Sequence, residues 1–262
     1  MSFVLNTIKE HIVFSITMVI VFVIGIIGVV VQPVGPAIPA LQNTFFLTGF
    51  SLQAVILLLS IASYLIWRYF KGKKQNLNLL IWSISYYLLS IVFIGLILRS
   101  FGISWANDTQ PELFFVWRNF MILFMAGLFY GTIRLITTRK VWQIYPTVIF
   151  IVLFYIWFIL SLFILPVANP IEFCMYGFLY FGLIPVCLLL SYLWFIFGRR
   201  YNLSAGYLLS LGFALFAITY AGWAPWHFPE VIYIYFIWFA LFILSLVPML
   251  LGFVVLAIEK EK

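Results

Sequence analysis

Long apolar runs without charge are the feature that most constrains the fold of this chain. The first run, Ile12 to Val31, contains no charged side chain, and about 20 apolar residues are what a helix needs to cross the hydrocarbon core of a bilayer. Hydrophobic residues make up 66% of the 262 residues and charged residues only 8%, whereas soluble domains contain about 25% charged residues. Lipid must therefore surround most of this chain.

Helices, rather than the strands of a β-barrel, account for these runs. Barrel strands alternate in hydrophobicity over segments of about ten residues, whereas the runs here are longer and do not alternate. A helix also satisfies all of its backbone hydrogen bonds within one segment, as lipid requires. We therefore predict an all-α integral membrane protein with about eight transmembrane helices. The predicted spans cover residues 12–32, 46–68, 78–98, 113–135, 142–165, 171–198, 203–222 and 231–257.

The first run also raises the alternative of a cleaved signal peptide. The segment Ala37-Ile38-Pro39-Ala40 has a weak similarity to a cleavage site. The apolar run before it is longer than the usual signal-peptide core of about 7–15 residues. We therefore expect the first span to be retained.

Basic residues orient the predicted helices. With eight spans, 12 of the 14 Lys and Arg fall on one side of the membrane, and only Arg99 and Arg118 fall on the other. Short loops rich in Lys and Arg stay in the cytoplasm, so we predict a multi-pass cell-membrane protein with both termini cytoplasmic. This role also explains the net charge of +7 without nucleic-acid binding. The twelve residues are Lys9, Arg68, Lys71, Lys73, Lys74, Arg134, Arg139, Lys140, Arg199, Arg200, Lys260 and Lys262.

Tryptophans near the predicted membrane edges support this orientation, because indole rings prefer the level of the lipid headgroups. Trp157 and Trp238 lie deeper in their spans and are expected to pack between helices. The remaining candidates form two predicted belts, an inner one with Trp67, Trp142 and Trp194 and an outer one with Trp105, Trp117, Trp223 and Trp226.

Recurring segments indicate an internal duplication. We predict two four-helix units, residues 1–140 and 141–262, that share one orientation, as in parallel-repeat transporters, where ligands bind between the halves. The alternative is that similar loop chemistry has produced similar segments by chance. The recurring pairs are Ser63-Tyr64-Leu65 with Ser191-Tyr192-Leu193, Asn76-Leu77 with Asn202-Leu203, Pro33-Val34 with Pro166-Val167, and Gly131 with Gly252.

The predicted ligand site lies at the outer edge of the membrane. No Asp, Glu, Lys or His lies near the middle of a predicted span, which disfavours a proton relay. Arg118 lies about one turn inside the fourth span and needs a partner there, and Glu172 is the best candidate. The alternative is a structural ion pair with interfacial tyrosines. The residues predicted to bind the ligand are Arg118, Asn119, Glu172, Tyr176, Tyr180 and Gln53, of which Glu172, Tyr176 and Tyr180 share one helix face.

A second predicted outer cluster contains Trp223, Trp226, His227 and Glu230. The only other histidine, His11, falls on the opposite side, and Cys174 and Cys187 are too far apart along one helix for a disulfide. We therefore predict no metal site, no cofactor and no catalytic residue, and expect a non-enzymatic protein.

Three functions are compatible with these patterns. We expect a module that senses a small molecule or lipid, or binds a partner, and passes the signal on through helix packing. Its architecture resembles the multi-span sensor modules that precede prokaryotic histidine kinases, and that resemblance implies sensing only by analogy of fold.

The first alternative is a transporter or channel for an apolar or lipid-like substrate. The second is a structural subunit that binds other membrane proteins, and it predicts an outward seam of small residues. Lipid is a partner in every case, and the oligomeric state is left open. Examples of the seam residues are Ser83, Ser90, Gly206 and Gly212.

Overall fold

The computed structural model describes residues 44–72, 76–103, 110–166, 170–221 and 232–259. Two π-helical turns occur within these ranges: Leu160–Ile164 continues the fourth α-helix, and Leu179–Leu183 joins the fifth to the sixth. The α-helices of the described ranges are α1 (Thr44–Lys71), α2 (Leu77–Ser100), α3 (Pro111–Ile136), α4 (Lys140–Ile159), α5 (Pro170–Phe178), α6 (Ile184–Tyr201), α7 (Ser204–Ala221) and α8 (Ile232–Glu259).

Six helical segments in the described ranges are long and apolar enough to cross a membrane, and Ser204–Tyr220 is apolar but shorter. The chain is therefore a polytopic helical membrane protein, as predicted. The helices fall on the predicted spans from 46–68 to 231–257, whereas the first predicted span, 12–32, lies outside the described residues. The six segments are Thr48–Lys71, Leu77–Ser100, Pro111–Leu135, Lys140–Ile164, Phe181–Tyr201 and Phe239–Leu256.

Asparagine and proline set several helix ends. Pro111 opens α3, where its missing N–H is no loss because the first turn leaves such groups unbonded. The side chain of Asn76 accepts a hydrogen bond from the backbone N of Asn78 at 3.2 Å and so caps α2. Asn202 ends α6 in the left-handed conformation, with φ of 51°. The asparagine caps stand at short connections, between α1 and α2 and between α6 and α7.

Side-chain contacts show that the helices of a hairpin run antiparallel, whereas α5, the π turn Leu179–Leu183 and α6 form one continuous helix. In the α1–α2 hairpin, the hydroxyls of Thr48 and Ser100 share a hydrogen bond of 2.6 Å. Further along the same hairpin, the hydroxyl of Ser83 donates to the carbonyl of Ala62 at 2.7 Å. The pattern continues to α8, which packs back against α1. One end of the bundle, the basic end, therefore holds Arg68, Lys71, Arg134, Arg139, Lys140, Arg199 and Arg200.

Aromatic side chains fill the centre of the bundle. The ring of Tyr86 on α2 is fully buried and lies 5.7 Å from that of Phe124 on α3 and 5.8 Å from that of Phe253 on α8. Its hydroxyl donates to the Met249 sulfur at 3.4 Å, because a polar group surrounded by lipid-facing helices needs an internal partner. The core thus links α2, α3 and α8 through one tyrosine.

Two of the predicted belt tryptophans are instead core residues. Trp194 is 1% exposed, with its ring 5.6 Å from that of Trp82, and Trp117 is 9% exposed and packs against Gly95. The prediction was wrong because depth along a span does not determine which face of the helix a ring occupies. Trp67 and Trp142 are exposed, as a belt requires. Trp105, Trp223 and Trp226 lie outside the described residues.

The predicted outward seam of small residues is also wrong. Ser83 and Ser90 are buried. Gly206 lies against Gly198 where α6 and α7 cross, and Gly212 lies against Met249 of α8. Small residues let helix backbones approach closely, and here they serve neighbouring helices of the same chain.

Candidate functional site

Arg118 lies in a buried position where three helices meet. It is on α3, about two turns from Pro111, and is 8% exposed. Its guanidinium carbon lies 5.2 Å from the centroid of the Phe114 ring, and its charge acts on Cys174 of α5 and Tyr220 of α7. A cation at this depth is costly unless polar groups or aromatic faces surround it. Helices α3, α5 and α7 therefore converge on one positive charge.

Asn119, the next residue along α3, contacts a different helix. Its side-chain oxygen accepts a hydrogen bond from the hydroxyl of Tyr155 on α4. One turn earlier, the ring of Phe115 lies 6.1 Å from that of Tyr155 and 6.2 Å from that of Phe158. Successive residues of a helix point about 100° apart, so Arg118 faces α5 and α7 while Asn119 faces α4.

Helix α5 and the π turn after it are held against α4 by contacts between glycines and aromatic rings. Gly177 lies against Trp157, and Gly182 lies against Phe154, so closely that a Cβ atom at either glycine would overlap the ring. The indole N–H of Trp157 also donates to the backbone carbonyl of Cys174 at 3.0 Å. This packing fixes the face of α5 that carries Cys174 and lies near Arg118.

The thiol of Cys174 is fully buried in this contact. Ser161, in the π turn that continues α4, lies within hydrogen-bonding reach of the thiol, and its hydroxyl donates to the carbonyl of Trp157 at 2.6 Å. A buried cysteine usually acts as a small packing residue. The residues that the structure describes contain no group of three or more His, Cys, Asp or Glu that would suit a metal ion.

The structure describes the other predicted site residues in less detail. Glu172 and Tyr176 lie in α5 and Tyr180 in the π turn after it, but their side chains are not among those described, so contact between Arg118 and Glu172 stays a prediction. The common helix face predicted for Glu172, Tyr176 and Tyr180 stays a prediction for the same reason. Gln53 is buried on α1, whose main packing partners are α2 and α8.

The predicted outer cluster of Trp223, Trp226, His227 and Glu230 lies outside the described residues. Within the described residues, Tyr155, Ser161 and Tyr220 are neighbours of the site that the sequence pattern did not indicate. Comparing depths in the membrane would have identified Tyr155. Asn119 lies about eight residues after the start of α3, and Tyr155 lies at a similar distance before the end of the π turn that continues α4. Tyr220 lies in the last turn of α7 at that same end.

Comparisons with protein-family models, curated proteins and solved structures find no match for this chain. The class that the geometry itself defines is a polytopic helical membrane protein with a buried cation near the end of the bundle opposite the basic end.

Proposed function

We propose that the chain is a non-enzymatic membrane module that senses an apolar molecule with one anionic group, anchored by Arg118. The observation that supports this is a guanidinium only 8% exposed where α3, α5 and α7 meet. A guanidinium has several N–H donors in a fork that fits a carboxylate, so it can bind one in addition to its present contacts. The ring of Phe114 and its aromatic neighbours suit an alkyl tail.

The proposal includes eight membrane crossings with both termini cytoplasmic, arranged as two related units, residues 1–140 and 141–262. A serine hydrogen bond supports the duplication. Ser83 of α2 donates to the α1 carbonyl of Ala62 at 2.7 Å, and Ser191 of α6 donates to the α7 carbonyl of Ser210 at 2.8 Å. Ser83 and Ser210 are 127 residues apart in the chain, and Ala62 and Ser191 are 129 apart. The hairpins are thus joined at a similar level, although the donor lies on the second helix of one hairpin and on the first helix of the other.

A second contact recurs at nearly the same interval. Trp82 of α2 packs against Gly131 of α3, and Leu209 of α7 packs against Gly252 of α8. Trp82 and Leu209 are again 127 residues apart, and the glycines are 121 apart. The packing between units recurs too, since α3 contacts α6 as α8 contacts α1. These recurring contacts between helices support the proposed duplication over chance similarity of loop segments.

This arrangement gives a ligand a means of acting on the whole molecule. A ligand shifts a conformational equilibrium only through its different affinity for the two arrangements. Arg118 belongs to the first proposed unit, whereas Cys174 and Tyr220 belong to the second. A ligand bound among these three residues therefore contacts both proposed units, and its affinity depends on how the units are positioned relative to each other.

The two alternatives have less support. A transport path between the units would have to pass the described core, which Tyr86, Phe124, Phe216 and Phe253 fill with aromatic rings. A structural subunit was expected to present its small residues outward, and those residues are used within the chain.

Octanoate tests the anchor, and octanol, which has the same tail without the charge, is its matched control. The unfolding temperature of the purified chain in dodecyl maltoside is measured as each compound is added. We expect octanoate to raise the unfolding temperature of the wild type. Arg118→Gln should raise the Kd for octanoate about tenfold or more, because a hydrogen bond to a charged group contributes about 1.5–3 kcal/mol.

Arg99→Gln is the control variant, since it removes a charge at the same end of the bundle and should leave the octanoate response unchanged. If Arg118→Gln does not fold, Arg118→Lys keeps the charge without the planar fork and should show an intermediate Kd. Equal octanoate affinity in wild type and the Arg118 variants, or an equal response to octanol, would contradict the proposed anchor.

A further inference from the structure

A second polar cluster surrounds Trp82 near the basic end, far along α3 from Arg118. Trp82 is 2% exposed, and the centroid of the Trp194 ring on α6 lies 5.6 Å from that of its own ring. Gly131 of α3 faces the indole nitrogen of Trp82. Asn78 lies one turn before Trp82 on the same face of α2, and Thr132 follows Gly131. Helices α2, α3 and α6 thus supply polar groups to one small region.

Three side-chain polar atoms of this cluster are buried without a hydrogen-bond partner in the described part of the chain: Trp194 Nε1, Thr132 Oγ1 and Asn78 Oδ1. Nη1 of Arg134, two residues after Thr132, is also buried without such a partner, and its guanidinium carbon lies 5.7 Å from the centroid of the Tyr130 ring. The side chains of Trp194, Thr132 and Asn78 are only 1%, 3% and 7% exposed. Buried polar groups in native proteins are normally paired, and a lipid surrounding gives them no alternative partner. The cluster therefore has hydrogen-bonding capacity for a guest.

The chemistry of these atoms favours an anionic guest. The indole N–H of Trp194 and the guanidinium of Arg134 can only donate, and the hydroxyl of Thr132 can donate as well. The amide of Asn78 can present its NH₂ group in place of its oxygen, because the two ends of an amide have the same shape. Phosphate oxygens are strong acceptors that match such donors.

The depth of the cluster fits a lipid headgroup. Asn78 lies in the first turn of α2, and Thr132 lies about four residues before the end of α3. At about 1.5 Å per residue, both are within about 6 Å of the helix ends. Basic residues crowd the same end, and clusters of this kind attract anionic lipids. Four of them are Arg139, Lys140, Arg199 and Arg200.

We propose that the cluster around Trp82 binds the phosphate-bearing headgroup of a lipid from the leaflet at the basic end. The bound headgroup joins α2 and α3 to α6 through the donors of Trp194, Thr132 and Arg134. This site is separate from the one at Arg118 and does not depend on the proposed function.

Trp194→Phe tests the proposal, because it removes the N–H donor and keeps an aromatic ring. The chain in dodecyl maltoside is titrated with dioctanoyl phosphatidylglycerol while its unfolding temperature is measured. We expect a rise of about 5 °C in the wild type at a hundredfold excess over Kd. Trp194→Phe should raise the Kd for this lipid about tenfold.

Two controls and a second test variant make the outcome specific. Dioctanoylglycerol has the same tails without the phosphate and should give no shift. Trp157→Phe removes an indole N–H that is already bonded to Cys174, so it should keep the wild-type Kd for the lipid. Thr132→Val, which is nearly isosteric, removes another donor of the cluster and serves if Trp194→Phe does not fold.

Two results would overturn the inference. The first is a Kd for phosphatidylglycerol that changes in neither Trp194→Phe nor Thr132→Val. That result would mean that ordered water, and not the lipid, bonds to the buried donors. The second is an equal temperature shift with inorganic phosphate alone, which would assign the site to a soluble anion instead of a lipid.

Discussion

The hairpins α1–α2 and α6–α7 share a serine hydrogen bond but differ at the basic end. In α6–α7, Gly206 lies so close to Gly198 that a Cβ atom on Gly206 would overlap the backbone of Gly198. The residue 127 positions before Gly206 is Leu79, a partly buried side chain that packs on the core. One hairpin is therefore closed by backbone contact and the other by side-chain packing, which shows that the polar tie recurs while the packing around it differs.

The second pair of helices shows the same kind of difference. Gly131 faces an indole ring, that of Trp82, and Gly252 faces an aliphatic side chain, that of Leu209. The glycine of α3 therefore faces a rigid ring with a polar N–H, and the glycine of α8 faces a flexible hydrocarbon side chain. Both contacts pair a small residue with a large one, and they differ in polarity.

The largest expected effect comes from placing a side chain in the backbone contact between the helices of the α6–α7 hairpin. Gly206→Val should lower the free energy of unfolding by about 3 kcal/mol or more, because the backbone of Gly198 cannot move aside as a side chain can. Leu79→Val, the matched change in α1–α2, removes one methylene and should cost about 1 kcal/mol. Thermal unfolding together with size-exclusion chromatography measures both, and equal losses would remove the contrast between the hairpins.

An intermediate effect is expected where glycine faces a large side chain. A Cβ atom on Gly131 would lie 2.8 Å from Cδ1 of the rigid Trp82 ring, and one on Gly252 would lie 2.6 Å from Cγ of the more adaptable Leu209. Gly131→Ala should therefore destabilise by about 2 kcal/mol and Gly252→Ala by about 1 kcal/mol. Chemical unfolding of the two variants sharpens the comparison, and a larger loss for Gly252→Ala would reverse it. Gly49→Ala is the control, since a Cβ there meets nothing within 4 Å.

The smallest expected effect tests the feature that the hairpins share. Ser83→Ala and Ser191→Ala each remove one hydroxyl that donates across a hairpin, and such bonds in membrane proteins contribute about 0.6 kcal/mol on average. We expect similar small losses of unfolding free energy in the two variants. A loss above about 2 kcal/mol in only one of them would show that the two bonds are not equivalent.

The sequence predicted the helices well because span length follows from the thickness of the bilayer, and Thr44–Lys71 or Lys140–Ile164 could be located from apolar length alone. It could not predict that Trp194 faces Trp82, because in lipid both the core and the surface of a helix are apolar. It did not predict the π turn Leu179–Leu183, since such a turn depends on how α5 packs against α4.

The contact between Trp82 and Trp194 has an optical consequence. Two indoles whose ring centroids lie 5.6 Å apart share their electronic excitations, so the pair should produce a couplet of opposite signs in ultraviolet circular dichroism. One ring comes from α2 and the other from α6, helices on opposite sides of the middle of the chain. The amplitude of that couplet would report on the separation of the two parts of the bundle in unlabelled protein.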